Sequence, residues 1–91
     1  EEIDIIACDG DVLAFVEVKT RKKDSWLSAM DALTPQKRRR IFVGAQNFLM
    51  TKEGYEQFQP RFDVACVTTE NGMVTSVDYY ENAFSLCDIE Y

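Results

Sequence analysis

Residues 12–20 read VLAFVEVKT, and this stretch decides the fold. Five consecutive apolar residues, Val12 to Val16, lead into Glu17 and Lys19, with only Val18 between the two charges. A strand buried on both faces reads as an apolar run. Charges within such a run are costly unless they are paired or bound to something. Side chains alternate along a strand, so Leu13, Phe15, Glu17 and Lys19 share one face, and Val12, Ala14, Val16 and Val18 share the other.

Working back toward the N-terminus, residues 3–8 (IDIIAC) form a second strand, and the following DGD supplies a turn, so the two are antiparallel partners. The turn length decides where Asp4 falls. A two-residue Asp9-Gly10 turn pairs Asp4 with Phe15 and leaves it diagonal to Glu17. A four-residue loop pairs Asp4 directly with Glu17, and a three-residue loop puts them on opposite faces. Glu2 shares the face of Asp4. Carboxylates brought this close repel each other unless they are neutralised. A hard divalent cation does this, since Mg²⁺ takes one or two carboxylates together with water and phosphate oxygens. A neighbouring lysine can position water or offset charge developing on a phosphate. Asp4 and Glu17 are therefore candidate metal ligands, and Lys19 is a candidate electrostatic catalyst of phosphodiester cleavage. The competing reading is an exposed strand end whose Glu17–Lys19 pair contributes about 0–1 kcal/mol.

Working forward, TPQKRRRIFVGAQNFLM (34–50) reads as a helix, with Thr34 as the capping residue and Pro35 in the first helical position. Ile41, Phe42, Ala45, Phe48 and Leu49 form its apolar stripe. Lys37, Arg38 and Arg40 cluster at the helix start, where positive charge opposes the helix dipole, so their placement calls for a purpose beyond helix stability. RFDVACVTT (61–69) is a further strand, joined through Asn71-Gly72 to MVTSVDYY (73–80). Strand, strand, helix, strand, strand makes one α/β domain on a mixed sheet. Phe42, Phe48, Phe62 and Phe84 are core candidates. Asp63 is a pairing partner for Arg61 or a helix residue, and Trp26 falls in a polar loop.

Composition narrows the chemistry. The 91 residues contain no histidine, which excludes Ser-His and Cys-His nucleophile systems and histidine-ligated zinc. The three cysteines, Cys8, Cys66 and Cys87, show no CxxC spacing, and Cys8 and Cys66 sit in apolar runs as small hydrophobes. A reducing, cytoplasmic setting is expected, with no membrane partner. The net charge is −6, yet eight of the ten basic residues lie between Lys19 and Arg40 against only Asp24 and Asp31. That segment carries +6 and the remainder −12, so it is a candidate anion-binding face on an acidic protein. Two solvated charge runs are the plainer alternative.

Asp4, then Glu17-Val18-Lys19 closing an apolar strand, then a basic helix, resemble the PD-(D/E)XK nuclease superfamily. More narrowly, EIDIIACDGDVLAFVEVKTR (2–21) resembles the YraN-type family of predicted nucleases, which is similar to archaeal Holliday junction resolvases. The resemblance continues through Lys37–Arg40 with Ala45, Arg61-Phe62-Asp63-Val64 and Asn82-Ala83-Phe84. It implies a restriction-endonuclease-like mixed sheet with a flanking helix, as a single nuclease-like domain over residues 1–91. The family has a helix and strand before this point, so the resemblance also implies a chain trimmed at its N-terminal side. The implied function is metal-dependent endonuclease action on DNA, with branched, Holliday junction-like DNA as the substrate to consider.

By this resemblance Asp4, Glu17 and the Val18 carbonyl hold Mg²⁺ or Mn²⁺, Lys19 orients the attacking water, and Glu2 is a secondary acid. Gln36 and Lys37 support the site or contact backbone phosphate, with Thr20 and Arg21 beside the cleft. Arg21, Lys22, Lys23, Gln36, Lys37, Arg38 and Arg40 form the expected nucleic-acid-binding set, and a homodimer is the oligomer to consider. The alternative from a different class is a non-catalytic nuclease-like domain that binds nucleic acid or protein as an accessory module. Metal dependence separates the two.

Overall fold

The computed structural model describes residues 3–23 and 33–85. Among them, β1 (Ile5–Asp9), β2 (Val12–Lys22), β3 (Gln59–Glu70) and β4 (Met73–Tyr80) form one sheet in the order β1-β2-β3-β4. The helix α1 (Pro35–Thr51) lies between β2 and β3 in the chain. β2 and β3 run parallel, and the other two pairs are antiparallel. This is the mixed-sheet α/β architecture expected, and it is consistent with a restriction-endonuclease-like fold. No helix of the described residues is long and apolar enough to cross a membrane.

The first hairpin closes on the pair Asp9↔Val12, so its loop is Gly10-Asp11 rather than Asp9-Gly10. Gly10 has φ +62°, a conformation that glycine adopts without steric cost. The resulting register, with Cys8↔Leu13 and Ile5↔Val16, is the one that carries Asp4 to the position opposite Glu17. The second hairpin turns at Asn71 (φ +52°) and Gly72 (φ +77°). Positive φ at both central positions is the turn geometry whose twist suits antiparallel strands. The Cys8 expectation is corrected: its thiol is exposed on an edge strand, whereas Cys66 is buried. Trp26 and Cys87 lie outside the described residues.

α1 begins as its sequence dictates. Thr34 Oγ1 accepts the Lys37 backbone N–H at 3.2 Å, and Pro35 follows the cap. The helix lays Ile41 and Ala45, with half-buried Phe42, Phe48 and Leu49, on one sheet face. There they meet Leu13 and Phe15 of β2 and Phe62, Val64 and Cys66 of β3. Phe62 is the hub of the aromatic cluster, with ring centroids 5.6 Å from Phe15, 4.3 Å from Phe42 and 5.4 Å from Phe84. Gly44 is also buried, a position the apolar pattern alone does not mark.

The other sheet face carries a smaller cluster of Ala14, Val16 and Ala65 with Val18. Beside it Asp63 is fully buried. Its carboxylate accepts from Arg61 Nε (2.9 Å) and Nη2 (2.9 Å), from the Tyr79 hydroxyl, and from the Asn82 backbone N–H at 2.8 Å. Burial alone pushes the Asp63 carboxyl up, but the Arg61, Tyr79 and Asn82 donors outweigh it and hold the group below the ordinary carboxylate range. Tyr79 is in turn pushed up to about 12, by burial of its hydroxyl and by its bond to Asp63. Arg61 also reaches Asp9 and Glu81, each at 3.2 Å, so it ties the end of β1 to the turn after β4.

Two outcomes test this account. Thr34→Ala removes the cap and is expected to cost about 1 kcal/mol, lowering the melting temperature by roughly 4–8 °C. Because the folded pKa of Asp63 is depressed, its stabilising contribution is full above the unfolded value near 3.9 and is lost as pH falls through the folded value. Asp63→Asn is therefore expected to melt roughly 10 °C lower at neutral pH. It is also expected to show a flatter loss of melting temperature between pH 5 and pH 3 than the parent, as followed by thermal scans across that range.

Candidate active site

Glu17, Lys19 and Arg21 project from β2 onto the face that α1 covers, following Leu13 and Phe15 toward the C-terminal end of the strand. The apolar core therefore gives way to charge at one end of the same face. Glu17 and Lys19 form an ion pair, with Lys19 Nζ 2.9 Å from Glu17 Oε2 and both side chains largely buried, 15% and 20% exposed respectively.

β1 begins one residue after Asp4, and at that point a side chain takes over from the ladder. The Val18 backbone N–H donates to Asp4 Oδ2 at 2.8 Å. The N–H and C=O of one residue in an extended strand leave on the same side. The Val18 carbonyl accordingly emerges beside Asp4, past the start of β1. Asp4 itself is exposed.

The start of α1 completes the cluster. Lys37 lies in the first turn and its side chain reaches Lys19. The hydrogen bond to Glu17 raises the Lys19 ammonium above the usual lysine range against the opposing effect of burial, and the Asp4 charge adds to the rise. Lys37 is lowered, first by its contact with Lys19. Asp4, Glu17, Lys19 and Lys37 are therefore within electrostatic reach of one another, and two carboxylates face two ammonium groups.

The remaining expected site residues divide into groups. Arg21 and Lys22 belong to β2, Arg21 half-buried on the charged face and Lys22 exposed. Lys23 is exposed and pairs with Glu70 at 3.3 Å. Gln36 and Arg40 are exposed on α1. Arg38 is turned inward: its Nε donates to the Leu33 carbonyl at 3.0 Å, and its guanidinium lies 5.9 Å from the Phe84 ring centroid. Arg38 thus serves to anchor the helix start. Glu2 lies outside the described residues. Asp63 and Arg61 are on the opposite sheet face from the cluster.

The donor set bears on which cation would fit. Among the described residues no group of three or more His, Cys, Asp or Glu side chains gathers as a metal cage. Asp4 and Glu17 are an all-oxygen donor pair, the kind that Mg²⁺ or Mn²⁺ takes together with water and substrate oxygens. Asp4 Oδ2 and Glu17 Oε2 are engaged in the bonds above, and each carboxylate retains a second oxygen.

The Uncharacterised protein family UPF0102 matches residues 1–67, which span β1, β2, α1 and the first part of β3. The chain belongs to the UPF0102 family. A UPF0102 protein of Thermosynechococcus vestitus is 42% identical over 91 residues, covering 98% of this chain and 73% of the relative. One of Ectopseudomonas mendocina is 34% identical, covering 91% and 68%. One of Nitratidesulfovibrio vulgaris is 39% identical, covering 96% and 63%. The UPF0102 match includes every member of the Asp4–Glu17–Lys19–Lys37 cluster. UPF0102 is the grouping to which the YraN-type resemblance points.

Proposed function

We propose that this UPF0102 protein is a metal-dependent endonuclease that hydrolyses phosphodiester bonds in DNA, with branched DNA as the substrate class to test first. The observation that carries the reading is the convergence of Asp4, the Val18 backbone and Glu17 at the end of a strand pair, beside Lys19. The residues that would hold Mg²⁺ or Mn²⁺ are Asp4 and Glu17, with the Val18 carbonyl as a backbone ligand. The cation would supply Lewis-acid polarisation of the phosphate and lower the pKa of a bound water.

The chain's own groups have separate tasks. Asp4 is oriented by the Val18 N–H, which fixes its carboxylate against β2. Lys19 is an ammonium paired with Glu17, placed to orient a water and to offset negative charge as it builds on the phosphate. Gln36, Lys37 and Arg40 on the first turns of α1 present donors beside the cluster, suited to backbone phosphates, whereas Lys22 at the end of β2 projects on the other sheet face. Positive charge at the start of α1, unfavourable for the helix dipole, has a use here in drawing an anion to the site.

A second reading has one observation in its favour. The Glu17–Lys19 pair is already satisfied at 2.9 Å, as it would be in a non-catalytic, nuclease-like module that binds nucleic acid or protein.

The deciding experiment is calorimetric Mn²⁺ titration of the parent and Glu17→Ala, followed by incubation of both with a four-way DNA junction and a linear duplex. Saturable Mn²⁺ binding and Mn²⁺-dependent cleavage, both lost in Glu17→Ala, are expected. Mn²⁺ binding that is the same in both proteins would sink the site, and DNA binding without cleavage under any divalent ion would favour the accessory module. Lys19→Met gives an independent signature. With the competing ammonium gone, Mn²⁺ affinity is expected to rise roughly tenfold, about 1.4 kcal/mol, while cleavage is lost. A merely structural ion pair would produce weaker metal binding or none.

A further inference from the structure

The last strand of the sheet has no part in the site described above. Among the described residues β4 is an outermost strand, and all eight of its residues are exposed. Met73, Val74, Val77, Tyr79 and Tyr80 are large and apolar, and Val77 is 58% exposed. An open strand edge presents unpaired backbone donors and acceptors, which proteins ordinarily blunt with lysine or proline. β4 carries neither. Its pairing with β3 slips at Thr75, so the regular edge runs from Ser76 to Tyr80.

The charge of this part of the chain is all of one sign. No lysine or arginine follows Arg61, whereas residues 62–91 include six acidic residues. Glu70 is paired with Lys23 and Glu81 with Arg61, which leaves Asp78 as the carboxylate open to a partner on the regular edge. Val77 and Tyr79 lie opposite Val67 and Ala65 of β3, so both project on the Asp63 face while Asp78 projects on the other. The Tyr79 hydroxyl is bound to Asp63, which fixes a half-exposed ring in advance and lowers the ordering cost of a contact. An incoming strand therefore meets apolar, acidic and apolar side chains in alternation. Nucleic acid is repelled by such a surface. Two copies of the Ser76–Tyr80 edge, paired antiparallel at full overlap, set Asp78 against Asp78, which is destabilising.

We propose that the Ser76–Tyr80 edge of β4 docks an extended, basic segment of a protein partner, which adds as a further strand with lysine or arginine opposite Asp78 and apolar residues opposite Val77 and Tyr79. In strand addition the backbone hydrogen bonds supply affinity, and the alternate side chains select the sequence. Opposite charges facing each other across a strand pair stabilise it, and like charges do the reverse. The proposal does not depend on the nucleic-acid reading, because the Glu17–Lys19 cluster belongs to β2, two strands in from this edge.

The test uses the 91-residue chain and two fluorescein-labelled six-residue peptides, one alternating valine with lysine and the other valine with glutamate, read by anisotropy at physiological salt. The parent is expected to prefer the lysine peptide about tenfold, and Asp78→Lys is expected to reverse the preference. Glu53→Lys makes the same charge change at an exposed residue in the connection after α1 and is expected to keep the parent's preference. Thermal melting checks that the variants are folded. Should Asp78→Lys melt early, Asp78→Asn takes its place, with the preference expected to shrink. Failure of the parent to bind the lysine peptide, equal binding of both peptides, or a preference that the Asp78 variants leave unchanged overturns the proposal. A sedimentation mass of two chains that Val77→Lys returns to one also overturns it, because a second copy then occupies the edge.

Discussion

A single hydrogen bond marks where scaffold ends and chemistry begins: the Val18 N–H donates to the Asp4 carboxylate. Up to Ile5↔Val16 the first hairpin is held by its ladder. One step further, a side chain takes the place of the neighbouring backbone. The bond pins Asp4 to β2 at the residue between Glu17 and Lys19, where β2 is still held by its pairing with β3. Two carboxylates on one face would otherwise drive the hairpin end apart. The Lys19 ammonium, bonded to Glu17 and within the field of Asp4, offsets that repulsion in the free protein.

The two faces of the sheet divide the work. One face carries the aromatic core, then Glu17, Lys19 and Arg21. The other carries Asp63, with Arg61 drawing in Asp9 and Glu81. These faces communicate through the segment after β4. Asp63 binds the Asn82 N–H, the Ala83 N–H donates to the Phe62 carbonyl at 2.8 Å, and Phe84 is buried beneath Arg38 at the start of α1. A buried carboxylate on the far face thus helps to fix where the helix begins, and the helix start is what brings Lys37 to Lys19. This gives the Arg-Phe-Asp run a positional role at a distance from the cluster.

Much of this was readable from local pattern. Alternation along VLAFVEVKT put Glu17 and Lys19 on the core face, Thr34-Pro35 marked the helix start, and Asn71-Gly72 marked the second turn, because each rests on one strand or one turn. What was not readable depended on pairing between segments. The Asp-Gly dipeptide suggested a turn one residue early, and only the observed Asp9↔Val12 closure selects the register that carries Asp4 opposite Glu17. The register of β2 against β3 depends on a parallel pairing across α1 and its connections, which no local pattern encodes. Cys8 read as a small hydrophobe because its neighbours are apolar, but on an edge strand it is exposed.

The Gly10-Asp11 turn has a consequence for how such a hairpin can vary between relatives. Side chains on β1 alternate with a period of two, so lengthening the turn by one residue would send Asp4, Ile6 and Cys8 to the Asp63 face and bring Ile5 and Ala7 to the helix. Hydrophobic packing alone would tolerate that exchange poorly, and the placement of Asp4 opposite Glu17 would not survive it. Insertions here must therefore come in pairs or be absorbed as a bulge, which makes the parity of a short loop as much a constraint as the identity of the acids it aligns.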